Sequence, residues 1–476
     1  MRTRINKTVI SLVAGIIYFV LSPSLAAPPL GEQAVITQQD GGEQKMFGTS
    51  VGIDGTLSAV GVIGDSAGVY NSGAVIPFHS EADDWKQETK LVASKLVSFG
   101  NFGSAIALRE STLTVGAPGD DQKGADSGAV YVYLRKDGAW VSDGMLAPGD
   151  GAAGDNFGSA LALDTDVLLA GAFADDDSGG ASGAAYLFYR MSNGWKESGK
   201  LTAADGASED FFGKAVAIHT STAVIGAPGD DEGAVDAGSV YLFTNQSDKW
   251  VQTGKLVSDK PGAGAKFGSS VAIWGPYIAV GAPGETVKLQ GQGAVYLYVF
   301  DGTAWLQKMK LTAYEGKGGD AFGASVTMRG DYLLVGAPLR DEGVPDTGTV
   351  YVYQLISGMW INTAKLLHQK PATTDEFGQA LSTDGVKAIV GASKRDVSGA
   401  NSGAAYIFDL TLIPTLTPTP TFTKPKPPTA IPTVAPTMTP TEKPTQTPAP
   451  TKAPPPQSTP TPVKPTEPPA ARFNNE

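Results

Sequence analysis

Hydrophobic residues in this chain gather in short runs rather than along a helical stripe. Between residues 102 and 147 four segments stand out, "FGSAIALR", "TLTVGAP", "GAVYVYLR" and "WVSDGML", separated by Gly, Asp and Ser. Alternation, β-branched residues and aromatics predict four strands. The second run is continuously apolar in most of its relatives along the chain, as in "TAVIGAP" and "YLLVGAP". That suits a strand buried on both faces. No stretch keeps a helical period.

The same pattern returns at a fixed step. A Phe-Gly pair stands at Phe47, Phe102, Phe157, Phe212, Phe267, Phe322 and Phe377, each 55 residues after the last. Gly61, Gly116, Gly171, Gly226, Gly281, Gly336 and Gly391 keep that step, as do Trp85, Trp140, Trp195, Trp250, Trp305 and Trp360. A fixed period decides the architecture. Seven units of four antiparallel strands predict an all-β fold, a seven-bladed β-propeller. Residues repeated in every unit read as architecture, because function breaks symmetry. A solenoid would need polar caps at its ends, and neither end looks like one. Instead the seventh unit stops after "GAAYIFDL", while an orphan "QAVIT" at 33–37 precedes the first Phe-Gly pair. Its Ile36 lies one period before Leu91. The expectation is that Gln33–Thr37 pairs as outer strand of the last blade and closes the ring, removing exposed edges.

The flanks change the picture at both ends. Arg2, Arg4 and Lys7, an apolar stretch from Val9 to Leu21, and Ser24-Leu25-Ala26 predict a signal peptide over 1–26, hence a secreted or cell-envelope protein. After the propeller, placed at 32–412, residues 413–476 form a Thr/Pro-rich tail. Proline fixes φ and removes donors, so an extended, disordered stalk is expected there. Cysteine is absent, which excludes disulfides and thiolate metal sites. Net charge is −12, and both flanks are basic, so the repeat region is more acidic still. That disfavours nucleic acid as a partner.

The coupling of Phe-Gly to Gly-Ala-Pro in "FGSAIALRESTLTVGAP", "FGKAVAIHTSTAVIGAP" and "FGASVTMRGDYLLVGAP" resembles the FG-GAP repeats of the integrin α-chain N-terminal propeller. The resemblance implies the propeller fold and an adhesion-type role. Family members often carry a calcium loop, D-x-D-x-D-G-x-x-D, between the two elements; here that interval holds only turns such as "RESTL" and "DTDVL". Calcium therefore stays open as a cofactor, without residues transferred from the family. The triplet Arg329-Gly330-Asp331 falls in a tight turn and reads as coincidence rather than as an integrin ligand.

In such blades the connections from strand two to three and from strand four to the next blade emerge on one face. Both sets are long and rich in carboxylates. The candidate ligand- or cation-binding residues are Asp120, Asp121, Asp175, Asp176, Asp177, Asp230, Asp231 and Asp341. The competing reading is that Asp and Gly simply make good turns. One column favours function: Asp120, Asp175 and Asp230 give way to Glu285, Arg340 and Arg395. Catalysis has no such support, since His79, His219 and His368 occupy unrelated repeat positions and no G-x-S-x-G elbow occurs. The reading is a monomeric, non-enzymatic binding or adhesion module that recognises an extracellular protein or glycan through its acidic loop face. A lectin-like propeller and a structural envelope protein without specific ligand are the alternatives.

Overall fold

The computed structural model describes residues 29–414 apart from positions 83 and 248; the expected signal peptide over 1–26 and the residues beyond 414 lie outside them. Among the described residues the strands form seven sheets, one per repeat. In the third blade these are Ala160–Asp164, Val167–Ala172, Ala184–Met191 and Gly194–Leu201, paired antiparallel in that order. The second strands are the most buried, as the apolar runs predict: Leu168, Leu169 and Ala170 are fully shielded. The first strands of all seven blades line a central channel. The tryptophan column lies on the fourth strands, outermost in the sheets of blades one to five. The one helical element among the described residues is a single 3-10 turn, Leu410–Leu412.

Blades meet through apolar side chains, as Leu169, Leu187 and Leu201 of blade three pack with Ile218, Ile225 and Tyr241 of blade four, and through a repeated backbone bond. The N–H of Phe102, at the entry to blade two, donates to Ser72 O of blade one at 3.0 Å, and Phe157, Phe212, Phe267, Phe322 and Phe377 repeat the bond one blade further on. Every phenylalanine of this column is fully buried. Most stack edge-on against the aromatic third strand of their own blade, as Phe157 does on Tyr186 with ring centroids 5.6 Å apart.

The ring closes as the sequence predicts. Ala34–Ile36 pairs antiparallel with Ala404–Asp409, placing Ala34 opposite Ile407 and Ile36 opposite Ala405. Blade seven is thus completed by the beginning of the chain. The structure adds a feature that two residues could not announce. Pro29–Leu30 runs parallel to Met359–Leu366 and gives blade six a fifth strand, so the N-terminal segment ties two blades together.

Candidate functional site

Connection lengths divide the molecule into two unlike faces. The links between second and third strands, such as 118–128 and 173–183, are eleven residues long in each blade, whereas the turns between first and second strands are mostly two residues. The links from each fourth strand to the next blade leave on the same side as the eleven-residue loops. All eight candidate aspartates lie on this loop face, but they do not form one cluster.

Asp120, Asp175 and Asp230 point inward and are buried. Eleven residues on, the phenol of a third-strand tyrosine donates to each: Tyr131 to Asp120 at 2.6 Å, Tyr186 to Asp175 at 2.9 Å and Tyr241 to Asp230 at 2.7 Å. Directly opposite the tyrosine, the fourth strand supplies a lysine. Lys200 pairs with Tyr186 in the ladder and its ammonium lies 2.8 Å from Asp175; Lys255 sits likewise 3.0 Å from Asp230. Partial burial works against these ammonium groups. Hydrogen bonds to the carboxylates around them outweigh it and raise both above the usual lysine range. Burial and the adjoining carboxylate push the Tyr186 phenol up.

The column that breaks symmetry keeps the same socket with the charges rearranged. Glu285 holds Lys310 at 2.8 Å. Arg340 binds Asp320 at 3.0 Å and Glu342 at 2.8 Å, and Arg395 binds Asp375 at 2.7 Å. Asp320 and Asp375 stand twenty residues before their arginines, where blades three and four carry Asp155 and Asp210. Each exchange is compensated within its own blade junction, so this break in the pattern preserves a buried network.

Blade two is the exception. Met145 occupies the place of the lysine, opposite Tyr131, and Oδ1 of the buried Asp120 has no partner among the described residues. Met145→Lys is expected to stabilise the protein by about 1 kcal/mol, because it supplies an ammonium to an unpaired acceptor at a partly exposed site. The shift of the denaturant midpoint measures it, and an unchanged or lowered midpoint refutes it.

The other candidates face solvent. Asp121 and Asp231 accept from the backbone N–H of Asp126 and Asp236 at 3.0 and 2.8 Å, and Asp341 accepts from that of Asp346 at 3.2 Å. These bonds stiffen the loops and leave the second oxygen of Asp121 and of Asp231 outward, while that of Asp341 meets the Lys317 ammonium at 3.4 Å. Asp176 is exposed, and Asp177 reaches back to Lys200 at 2.5 Å. Among the described residues no group of three His, Cys, Asp or Glu side chains is arranged to hold a metal ion.

Sequence reasoning missed a second departure from symmetry, at the opposite mouth of the channel. The last residues of the first strands are Asp54, Arg109, Asp164, His219, Trp274 and Arg329 in blades one to six. The guanidinium groups of Arg109 and Arg329 both stack on Trp274, 6.0 and 5.7 Å from the ring centroid. His219 stacks on it at 4.5 Å. Arg329 pairs with Asp54 at 3.0 Å and Arg109 with Asp164 at 3.4 Å. Burial holds His219 below its ordinary pKa, against the pull of Asp164. The signal was a repeat column with a different side chain in nearly every unit. Its meaning needed the closed ring, since Asp54 and Arg329 meet only there. The Arg329-Gly330-Asp331 turn is therefore on the face away from the loops, with its arginine already engaged. Above this plug the channel is a cavity of ≈ 240 Å³ whose lining side chains are apolar apart from Thr327 and Ser382.

The comparison with protein families agrees with this architecture. The family described as FG-GAP repeat matches residues 30–76, 85–133, 140–188, 195–243, 250–298, 305–353 and 360–408. Each matched unit begins near the outer strand of one blade and ends in the third strand of the next, which is why the first unit must complete the last blade. Among solved structures the chain is similar to Saccharomyces cerevisiae Sqt1, at 12% identity and a TM-score of 0.42, over 81% of this chain and 100% of that one. No curated protein matches the sequence. Seven repeats in phase, folded as seven blades of an integrin-α-like propeller, place this chain in the FG-GAP repeat family.

Proposed function

We propose that this protein is a secreted or envelope-associated binding or adhesion module, and not an enzyme, whose loop face recognises an extracellular protein or glycan. The observation that carries the reading is the segregation of long, internally braced loops to one face, with two-residue turns on the other. Rigid loops on a closed scaffold hold a recognition surface at little entropic cost. The outward carboxylates of Asp121, Asp176 and Asp231, with that of Asp341 beside Lys317, give that face its sign and suit a basic partner or a bridging cation.

The test is binding of the full chain to an array of glycans and extracellular matrix proteins, with calcium and again with chelator. The quadruple variant Asp121→Asn, Asp176→Asn, Asp231→Asn and Asp341→Asn keeps the loop-bracing acceptors and removes four charges. A hit that weakens about tenfold in the variant supports the acidic face. A hit indifferent to the four charges rejects it, and silence on the array rejects the binding reading.

A further inference from the structure

One sector of the loop face departs from the repeat without an ion pair that compensates the change. Four of the seven units read Gly-Ala-Pro at the end of the second strand, but blade three reads Gly-Ala-Phe, with Phe173 where Pro118, Pro228, Pro283 and Pro338 stand. Thirty-eight residues on, Phe211 replaces the Asn101 and Asn156 of the preceding units. Three further on, Lys214 replaces a serine that blades two, three and five carry as Ser104, Ser159 and Ser269.

These three substitutions meet. The Phe173 and Phe211 rings lie 6.2 Å apart, and the Lys214 ammonium sits 3.8 Å from the Phe173 centroid. Phe211 takes a left-handed backbone, φ 57°, a region that suits asparagine and strains an aromatic side chain. With Glu209, Asp236 and Lys266 they line a cavity of ≈ 580 Å³ that spans the entries to blades four and five.

The charges here are unlike those elsewhere on the face. Lys200, Lys255, Lys310 and Lys365 all pair with carboxylates. Among the described residues, Lys214, Lys266, Glu209 and Asp236 enter no ion pair. The cavity thus offers two ammonium groups without a carboxylate partner, one of them over the Phe173 ring, two carboxylates without a cation, and two aromatic rings. An inorganic anion would leave the rings unused and face the carboxylates. A hydrocarbon would bury against four charges, and a neutral sugar would leave the ammonium groups unmatched.

We propose that this cavity binds a carboxylate-bearing sugar, with the carboxylate on the lysines, ring C–H groups against the phenylalanines and hydroxyls donating to Glu209 and Asp236. Saccharides present both donors and acceptors around an apolar ring face, which is the combination the lining asks for. The inference rests on the loop face being the binding face, but it uses none of the eight aspartates discussed above.

Calorimetric titration of the full chain with oligogalacturonate and with sialyllactose, each beside its neutral counterpart, tests it and separates the two sources of acidic sugar. Saturable binding of at least one acidic ligand, with the neutral one weaker by roughly tenfold or more, is the expected result. The triple variant Phe173→Pro, Phe211→Asn, Lys214→Ser restores what sibling blades carry, so it is expected to fold and to abolish binding. Circular dichroism checks the fold, and Lys214→Ser alone gives the same readout with less perturbation. Absence of binding by both acidic sugars, equal binding of the neutral ones, or undiminished binding by the folded triple variant overturns the proposal. An array ligand lost in the aspartate variant but kept in the triple variant overturns the pocket alone and leaves the loop-face reading intact.

Discussion

A chain lacking residues 29–37 is expected to lose roughly 5 kcal/mol of stability and to self-associate. Ile36 is buried among Phe47, Val60, Ile389 and Ile407, at the junction of the last blade with the first, and Leu30 packs against the core shared by blades six and seven. Burying an aliphatic side chain contributes about 1.5–3 kcal/mol. The deletion removes two of them and the ladder to Ala404–Asp409, including the 2.7 Å bond from Gln33 N to Ile407 O. It also leaves the edge of an aromatic third strand open, a template for pairing with other chains. Denaturant titration measures the loss and size-exclusion chromatography the association. A synthetic peptide of residues 29–38 should restore part of the stability in proportion to its concentration, because it binds the folded chain alone. A truncated chain with an unchanged midpoint would show that the ring is held by blade-to-blade contacts without its clasp.

The clasp was legible in the sequence because it depends on a count: the outer strand missing from unit seven and the orphan strand before unit one are the same segment of the 55-residue period. Strand identity was legible for a similar reason, since Leu168, Leu169 and Ala170 are apolar on both faces and can only be central. The burial of Asp175 was not. In the sequence it is one of three consecutive aspartates in a Gly-rich loop, indistinguishable from Asp176 and Asp177. What turns it inward is Tyr186, eleven residues later, and Lys200, twenty-five later, which the ladder sets opposite each other. Those two residues also keep the period in most units, so the triad could have been found as three columns that stand in phase, of which Met145 breaks one and Arg340 another. The pocket around Phe211 is legible only as a lone departure from the pattern, and its meaning comes from the proximity of two blades.

Gly171→Ala is expected to be among the most damaging single-methyl additions in the protein. A Cβ at this position would lie 2.0 Å from the carbonyl oxygen of Gly213, which is backbone at the entry to blade four and cannot swing aside. The same close approach recurs at Gly116, Gly226, Gly281, Gly336 and Gly391, so adjacent blades are spaced throughout by the absence of a side chain. In an open stack the neighbour could retreat by a few tenths of an ångström. In a closed ring it would have to push against the next blade, and the displacement returns around the circle to its origin. Overpacking of this kind costs about 3 kcal/mol or more. Gly199 supplies the control within the same blade: it lies on the outer strand, a Cβ there would meet nothing within 4 Å, and its φ is not positive. Gly199→Ala is expected to be neutral or to stabilise by up to about 1 kcal/mol through the unfolded chain. Parallel thermal melts of the two variants separate close backbone approach from strand propensity. Equal losses in both would mean that the glycine column serves strand flexibility and not the spacing of the blades.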